Sequence, residues 1–315
     1  MASFPDDLLS IDDLDAEQLA DLLALADQLK AARGTDTPAA HADALAGRTV
    51  ALVFEKPSTR TRVSFQVAVT ELGGDPLPLS SAELQLGRGE TIADTGAVLA
   101  RYVHGIVVRT FGQDRLDELA AAADVPVINA LTDLEHPCQA LADLQTLREA
   151  RGGSLIGSVL TYVGDGNNVA HSLLLAGALA GVEVRIAHPE GYAPDPAIVA
   201  RASELAAASG AEPVVTTDAV AAVTGAHAVY TDVWASMGQE AEADARQEIF
   251  VPYRVTPELF AHAADDAIFL HCLPAHRGEE VAAEVMDSQA SRVFDQAENR
   301  LHAQKALLVR LLAAR

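Results

Sequence analysis

The 315-residue chain reads as an α/β protein of two doubly wound parallel-sheet domains, with the active site expected in the cleft between them. Three observations lead there. The length is more than one hydrophobic core usually holds. Short apolar, strand-like runs alternate with helically spaced apolar positions through both halves, as parallel sheets with crossover helices require. Polar clusters stand just after those runs, three in each half, and open α/β sheets bind ligands beyond the carboxyl ends of their strands.

In the first half, an amphipathic helix is predicted over 11–32, opened by Asp12 and Asp13, with Leu14, Leu19, Leu22 and Leu23 on its apolar side. Residues 33–47 form a small-residue linker into the strand from Val50 to Phe54, which stops at Glu55, and Pro57 ends the extended segment. Ser58 and Thr59 can cap a helix whose Val63, Val67 and Leu72 are helically spaced before Gly73-Gly74. A polar loop from Ser80 to Glu90 follows, then a helix near 91–103, a strand from Gly105 to Arg109, a helix over 113–123 and a strand from Pro126 to Ala130. The helix over 136–150 ends at Arg151-Gly152-Gly153, read as the domain boundary, so the first domain is 1–150.

The second domain, 151–297, repeats the alternation. A strand over 157–163 runs into Gly164-Asp-Gly-Asn-Asn168 and an apolar helix that stops at Gly181. Strands at 182–187, near 212–215, at 226–231 and at 267–272 follow, with a helix over 195–209. The acidic segment 235–256 reads as a mobile loop, with Gly238 as its hinge. A last helix, 298–313, closes the chain.

Composition excludes several classes. No apolar run is long enough to span a bilayer. The start, Met1-Ala-Ser-Phe-Pro-Asp-Asp, has no basic stretch followed by an apolar core, so it is no secretory signal. The two cysteines, Cys138 and Cys272, make no disulfide framework and fit a reducing cytoplasm. A net charge of −23, with lysine only at Lys30, Lys56 and Lys305, argues against a nucleic-acid surface. Such a surface repels itself at low salt and is screened at high salt, so a halophilic, salt-rich interior is expected, against the plainer reading of an acidic protein from a GC-rich genome.

The motifs divide by chemistry. Ser58, Thr59, Arg60 and Thr61 stand at a helix N-terminus, whose unpaired N–H groups attract phosphate, and the Arg60, Arg62 and Arg109 guanidinium forks suit planar anions. His136 and Gln139, after the third strand, can donate to a carbonyl or phosphoryl oxygen. The first half is thus an anion half. In the second, Asp232 can pair with an ammonium, while Asn168 and the backbone of Ser236 and Met237 can hold an α-amino and α-carboxylate pair. Gly164-Asp-Gly-Asn-Asn168 lacks the third glycine of a dinucleotide fingerprint, which weakens a dehydrogenase reading. Cys272 invites a nucleophile reading, but neighbouring strand residues face opposite ways, so His271 is poorly placed as its base. His271, Cys272 and His276 form no complete zinc set of usual spacing, and no metal is expected.

Together these residues resemble the aspartate/ornithine carbamoyltransferase family, and within it the ornithine branch. Ser58-Thr-Arg-Thr-Arg62 and His136-Pro-Cys-Gln139 look like its carbamoyl-phosphate motifs; Asp232-Val-Trp-Ala-Ser-Met-Gly238 and His271-Cys-Leu-Pro-Ala-His276 look like the ornithine branch. The resemblance implies that carbamoyl phosphate is bound by Ser58, Thr59, Arg60, Thr61, Gln85, Arg109, His136, Gln139 and Arg300, with the backbone of Cys272 and Leu273. It implies that L-ornithine is bound by Asn168, Asp232, Ser236 and Met237, and that Arg60, His136, Asp232 and Cys272 serve catalysis. It further implies no cofactor, a homotrimer or multiple of trimers, Gln85 acting in its own subunit or, as its loop often does in the family, in a neighbouring one, and residues 298–315 packing back on the first domain. The rivals are the same transfer to putrescine or an acylated ornithine, and a non-catalytic regulatory protein on the same fold.

Overall fold

The computed structural model describes residues 4–35, 41–80, 89–235 and 243–313, without the side chains of 243–245. The chain divides into two compact units, residues 1–145 with 298–315, and residues 146–297.

The first unit holds α1 (Ala16–Ala32), β1 (Thr49–Phe54), α2 (Thr59–Glu71), β2 (Asp75–Ser80), α3 (Ile92–Leu99), β3 (Gly105–Arg109), α4 (Gln113–Ala122), β4 (Val127–Leu131) and the start of α5 (Pro137–Ala150). Its four strands are parallel, in the order β2-β1-β3-β4. The central strands are buried on both faces, so Val50–Val53 and Ile106–Val108 read as unbroken apolar runs.

Three local readings differ from the sequence expectation. The helix expected from residue 11 begins at Ala16, because two caps compete. Ser10 caps a single 3₁₀ turn, Ile11–Asp13, and Asp15 and Gln18 form a reciprocal capping box that starts α1. On α2 the buried face is Thr61, Phe65, Ala68 and Val69, not Val63, which is exposed. The third is β2, a strand hidden by Pro76 and Pro78. Asp75 donates its N–H to Arg48 O on the β1 side, and donors alternate along a strand. The two prolines therefore fall where a donor would point away from the sheet, which an edge strand tolerates.

The second unit holds β5 (Val159–Val163), α6 (Asn168–Ala180), β6 (Glu183–Ala187), α7 (Pro196–Ala206), β7 (Val214–Thr216), α8 (Ala219–Val223), β8 (Ala228–Thr231), α9 (Ala243–Phe250), α10 (Pro257–Phe260), β9 (Ile268–His271) and α11 (Ala283–Met286). Its five parallel strands run β7-β6-β5-β8-β9. The acidic segment expected to be a loop carries α9 and a 3₁₀ turn, Val251–Tyr253, while Gly238 lies outside the described residues. The last helix, α12, spans Val293–Leu308, starting earlier than expected, and one π turn, Val309–Ala313, completes it.

Both sheets reverse their strand order once, between β1 and β3 and between β5 and β8. At such a switch point the adjoining loops leave in opposite directions and open a crevice beyond the carboxyl ends of the strands. Ser58 to Thr61 and Arg109 stand there in the first unit; Asp165 to Asn168 and Asp232 stand there in the second.

Candidate functional site

In the first unit, α2 begins directly after the β1 loop. Ser58 occupies the N-cap position in extended backbone but makes no side-chain cap hydrogen bond, so it leaves first-turn N–H donors to another acceptor. Thr61 and Arg300 are both buried, and the Arg300 Nη2 donates to Thr61 Oγ1. Arg300 Nη1 donates to Gln139 Oε1 at 3.0 Å, and Gln139 Nε2 donates to Asp143 Oδ1 at 2.7 Å. In this arrangement Gln139 holds Arg300 in place. The Lys305–Glu71 ion pair at 2.9 Å and the Lys30 Nζ bond to Asn299 Oδ1 at 2.8 Å tie α12 to α2 and α1.

Arg109 ends β3 and is buried, as is His136 at the start of α5. Burial, then the positive charges of Arg300, Arg109 and Arg60, hold the His136 imidazole well below its usual 6.5. It is therefore neutral near pH 7 and retains one N–H donor. Well above pH 6.5 the ring is neutral whether the chain is folded or not, and adds no pH dependence. Below it, the unfolded chain binds a proton that the folded one refuses, so stability is lost toward acid at up to about 1.4 kcal/mol per pH unit. Melting temperatures recorded on either side of pH 6.5 are expected to fall on the acid side, and to fall less in His136→Gln.

A supporting network was not visible in the sequence. Glu55, directly after β1, accepts from Thr110 Oγ1 at 2.6 Å and from Arg115 Nη2 at 2.7 Å. Lys56 pairs with Asp133 at 2.6 Å and lies over the Phe111 ring. The loops after β1, β3 and β4 are thereby fastened to one another. Cys138 is structural: burial pushes its thiol up to about 12, and Sγ donates to Asn129 O.

In the second unit the loop after β5 turns tightly. Gly166 lies so close to the backbone of Ala193 and Pro194 that a Cβ there would meet Pro194 N at 2.2 Å. The glycine serves this close approach, and no phosphate is needed to explain it. Asn167 caps α6 through Oδ1, which accepts from Val169 N at 3.0 Å, and its Nδ2 donates to Asp232 Oδ2 at 3.3 Å. Asp232 is buried after β8, and its Oδ1 accepts from Val233 N at 2.8 Å and Cys272 Sγ at 3.0 Å. Asn168 is the first residue of α6. Burial and the nearby Asp232, Asp165 and Cys272 raise the Tyr162 phenol well above 10. Asn167 was missed by sequence reasoning, although its N-cap position before Val169 was a usable signal.

His271 does not serve Cys272. Its Nδ1 accepts from Leu273 N at 2.9 Å, and its Nε2 stands 3.1 Å from Glu280 Oε1. Burial raises the Glu280 carboxyl, but the bonds from His271 and the His276 N–H outweigh it, leaving a lowered pKa. Leu273 sits at φ 61, a left-handed conformation that costs an L-residue about 1–2 kcal/mol, and the His271 bond anchors it. Two sets offer metal-ligating atoms within 4.8 Å among the described residues: Asp232 with His271 and Cys272, and His276 with Glu279 and Glu280. In the first set both ring nitrogens of His271 already have protein partners. Gln85, Ser236 and Met237 lie outside the described residues.

A parallel α/β unit with three arginines around a neutral histidine, joined to one with a buried carboxylate at its switch point, defines a class. The chain belongs to the aspartate/ornithine carbamoyltransferase family: the family's carbamoyl-P binding domain matches residues 6–149, and its Asp/Orn binding domain matches residues 157–311. It is 62% identical over 300 residues to an ornithine carbamoyltransferase of Parafrankia sp., covering 95% of this chain and 94% of that one. An ornithine carbamoyltransferase of Gloeobacter violaceus is 55% identical, with 99% and 97% covered. Among solved structures, that of the Pyrococcus furiosus ornithine carbamoyltransferase superposes with a TM-score of 0.95 at 50% identity, covering all of both chains.

Proposed function

We propose that the protein is an enzyme that transfers the carbamoyl group of carbamoyl phosphate to the δ-amine of L-ornithine, giving L-citrulline and phosphate. The observation that carries this is the set of donors beside the α2 N-terminus: Thr61, Gln139 and Arg300 bonded together, with His136 held neutral beside Arg60, Arg109 and Arg300. The similar proteins named above support ornithine as the acceptor over putrescine, an acylated ornithine or a non-catalytic role.

Carbamoyl phosphate is a mixed anhydride and brings its own leaving group, so the reaction asks the protein for positioning and charge stabilisation. Ser58, Thr59, Arg60, Thr61 and Arg109 bind the phosphate, and Gln85, the Cys272 and Leu273 backbone complete the carbamoyl-phosphate set. The neutral δ-amine attacks the carbonyl carbon, and a tetrahedral oxyanion forms. Arg60, Thr61, His136 and Arg300 meet that charge; a neutral His136 donates to it without adding a proton. The C–O bond to phosphate breaks, and the leaving phosphate takes the amine proton. Asp232 and Cys272 orient the amine, while Asn168, Ser236 and Met237 hold the α-amino and α-carboxylate groups. The test is release of phosphate from carbamoyl phosphate that depends on ornithine; release indifferent to ornithine contradicts the assignment.

The reading extends to a cytoplasmic place in arginine metabolism, in either the biosynthetic or the arginine-deiminase direction. Among the described residues no helix is long and apolar enough to cross a membrane. Assembly as a homotrimer or a multiple of trimers belongs to the same reading, and Val63, Val98 and Tyr102, exposed on the first unit, offer apolar surface for it. The net charge of −23 supports a halophilic setting. The melting temperature is then expected to rise as KCl is raised to molar concentration, and an unchanged value contradicts the halophilic reading.

A further inference from the structure

We propose that Arg246 is the positioning residue of the amine half-site, acting through Asp165 and Asn167 on Asp232, so that it governs how well ornithine is held. The inference rests on the carbamoyltransferase reading.

Arg246 stands on α9, is buried, and spends one nitrogen on two acceptors: Nη1 donates to Asp165 Oδ2 at 2.6 Å and to Trp234 O at 2.7 Å. Its guanidinium lies over the Tyr192 ring, 5.0 Å from the centroid, and over Phe250 at 5.8 Å. Tyr192 in turn packs edge-on against Phe250. Tyr192 O accepts from Gly166 N at 2.9 Å, within the turn that Asp165 opens. One side chain therefore joins the loop after β5, the loop after β6 and the loop after β8.

The path onward is short. Asn167 N donates to Asp165 O at 2.7 Å, so the turn fixes where the Asn167 side chain starts. That side chain caps α6 and reaches Asp232 Oδ2, whose other oxygen holds Cys272 Sγ. Nothing in this path gives Arg246 contact with the reacting atoms. Removing the guanidinium leaves the half-buried Asp165 near Asp232 with no counter-charge from α9, and the turn between them loses its anchor. A flat, permanently charged group suits this place better than an ammonium, because it pairs with a carboxylate, reaches a carbonyl and stacks on a ring.

The test compares Arg246→Ala, Arg246→Lys and Asp165→Asn with the wild type. Arg246→Ala is expected to raise the ornithine KM about tenfold or more, with the carbamoyl-phosphate KM little changed. Arg246→Lys is expected to recover part of that loss. Asp165→Asn is expected to resemble Arg246→Ala, and the double variant to be little worse than either, since both break one path. Hydrogen exchange supplies a readout free of turnover: the amides of Gly166, Val169 and Ala170 are expected to lose protection in Arg246→Ala. A merely structural role lowers the melting temperature and the active fraction without splitting the two KM values. An active, folded Arg246→Ala or Arg246→Lys with wild-type ornithine KM overturns the inference alone. Wild-type protein that carbamoylates no amine overturns the reading of the reaction, and this inference with it.

Discussion

Arg60→Ala is expected to cut carbamoyl transfer by about a hundred- to a thousandfold, the scale on which single transition-state donors act. Arg60 lies in the first turn of α2, beside the N–H groups left open by Ser58. Its side chain is exposed, so the substitution opens no cavity in the core, and the melting temperature is expected to change little. The loss should fall on both binding and turnover, because in the proposed mechanism phosphate charge and oxyanion charge meet the same guanidinium. Steady-state kinetics with carbamoyl phosphate as the varied substrate, with a thermal melt of the same preparation, checks both halves of the expectation. Near-normal turnover would remove the 58–62 segment from the site.

The second large effect belongs to Asp232→Asn. Asp232 is the buried carboxylate onto which Asn167 Nδ2 and Cys272 Sγ converge. An amide keeps the shape, loses the charge, and turns its NH₂ either toward Asn167 Nδ2 or toward the Val233 N–H and Cys272 Sγ. Loss of one partner of a buried charge pair costs about 2–5 kcal/mol, so the ornithine KM is expected to rise about a hundredfold. The carbamoyl-phosphate KM is expected to stay near its wild-type value. Unchanged ornithine kinetics would take Asp232 out of the amine half-site and leave the first unit's assignment standing.

How much was legible beforehand follows from how local each cause is. The strand Gly105–Arg109 was readable to the residue, because a strand covered on both faces is one unbroken apolar run. The edge strand Asp75–Ser80 was not, because its prolines obey a rule about which side of the strand faces the sheet, and that side is set by a neighbour. Val63 and Phe65 differ by two positions on α2, and only the sheet beneath it decides which is buried. The candidate site residues stood out as clusters after strands. The groups that hold them did not: Arg115 is 60 residues from Glu55, and Arg246 is 81 residues from Asp165. Such pairs are made by topology, which brings loops after different strands to one edge of a sheet.

The central claim is tested most directly by citrulline formation from carbamoyl phosphate and ornithine, in molar KCl, with aspartate and putrescine as parallel acceptors. The account predicts citrulline with ornithine and no comparable product with the other two. Equal or better transfer to another amine would contradict the assignment of Asp232 and its loop to ornithine. Folded protein that gives no product with any acceptor would contradict the account of the reaction.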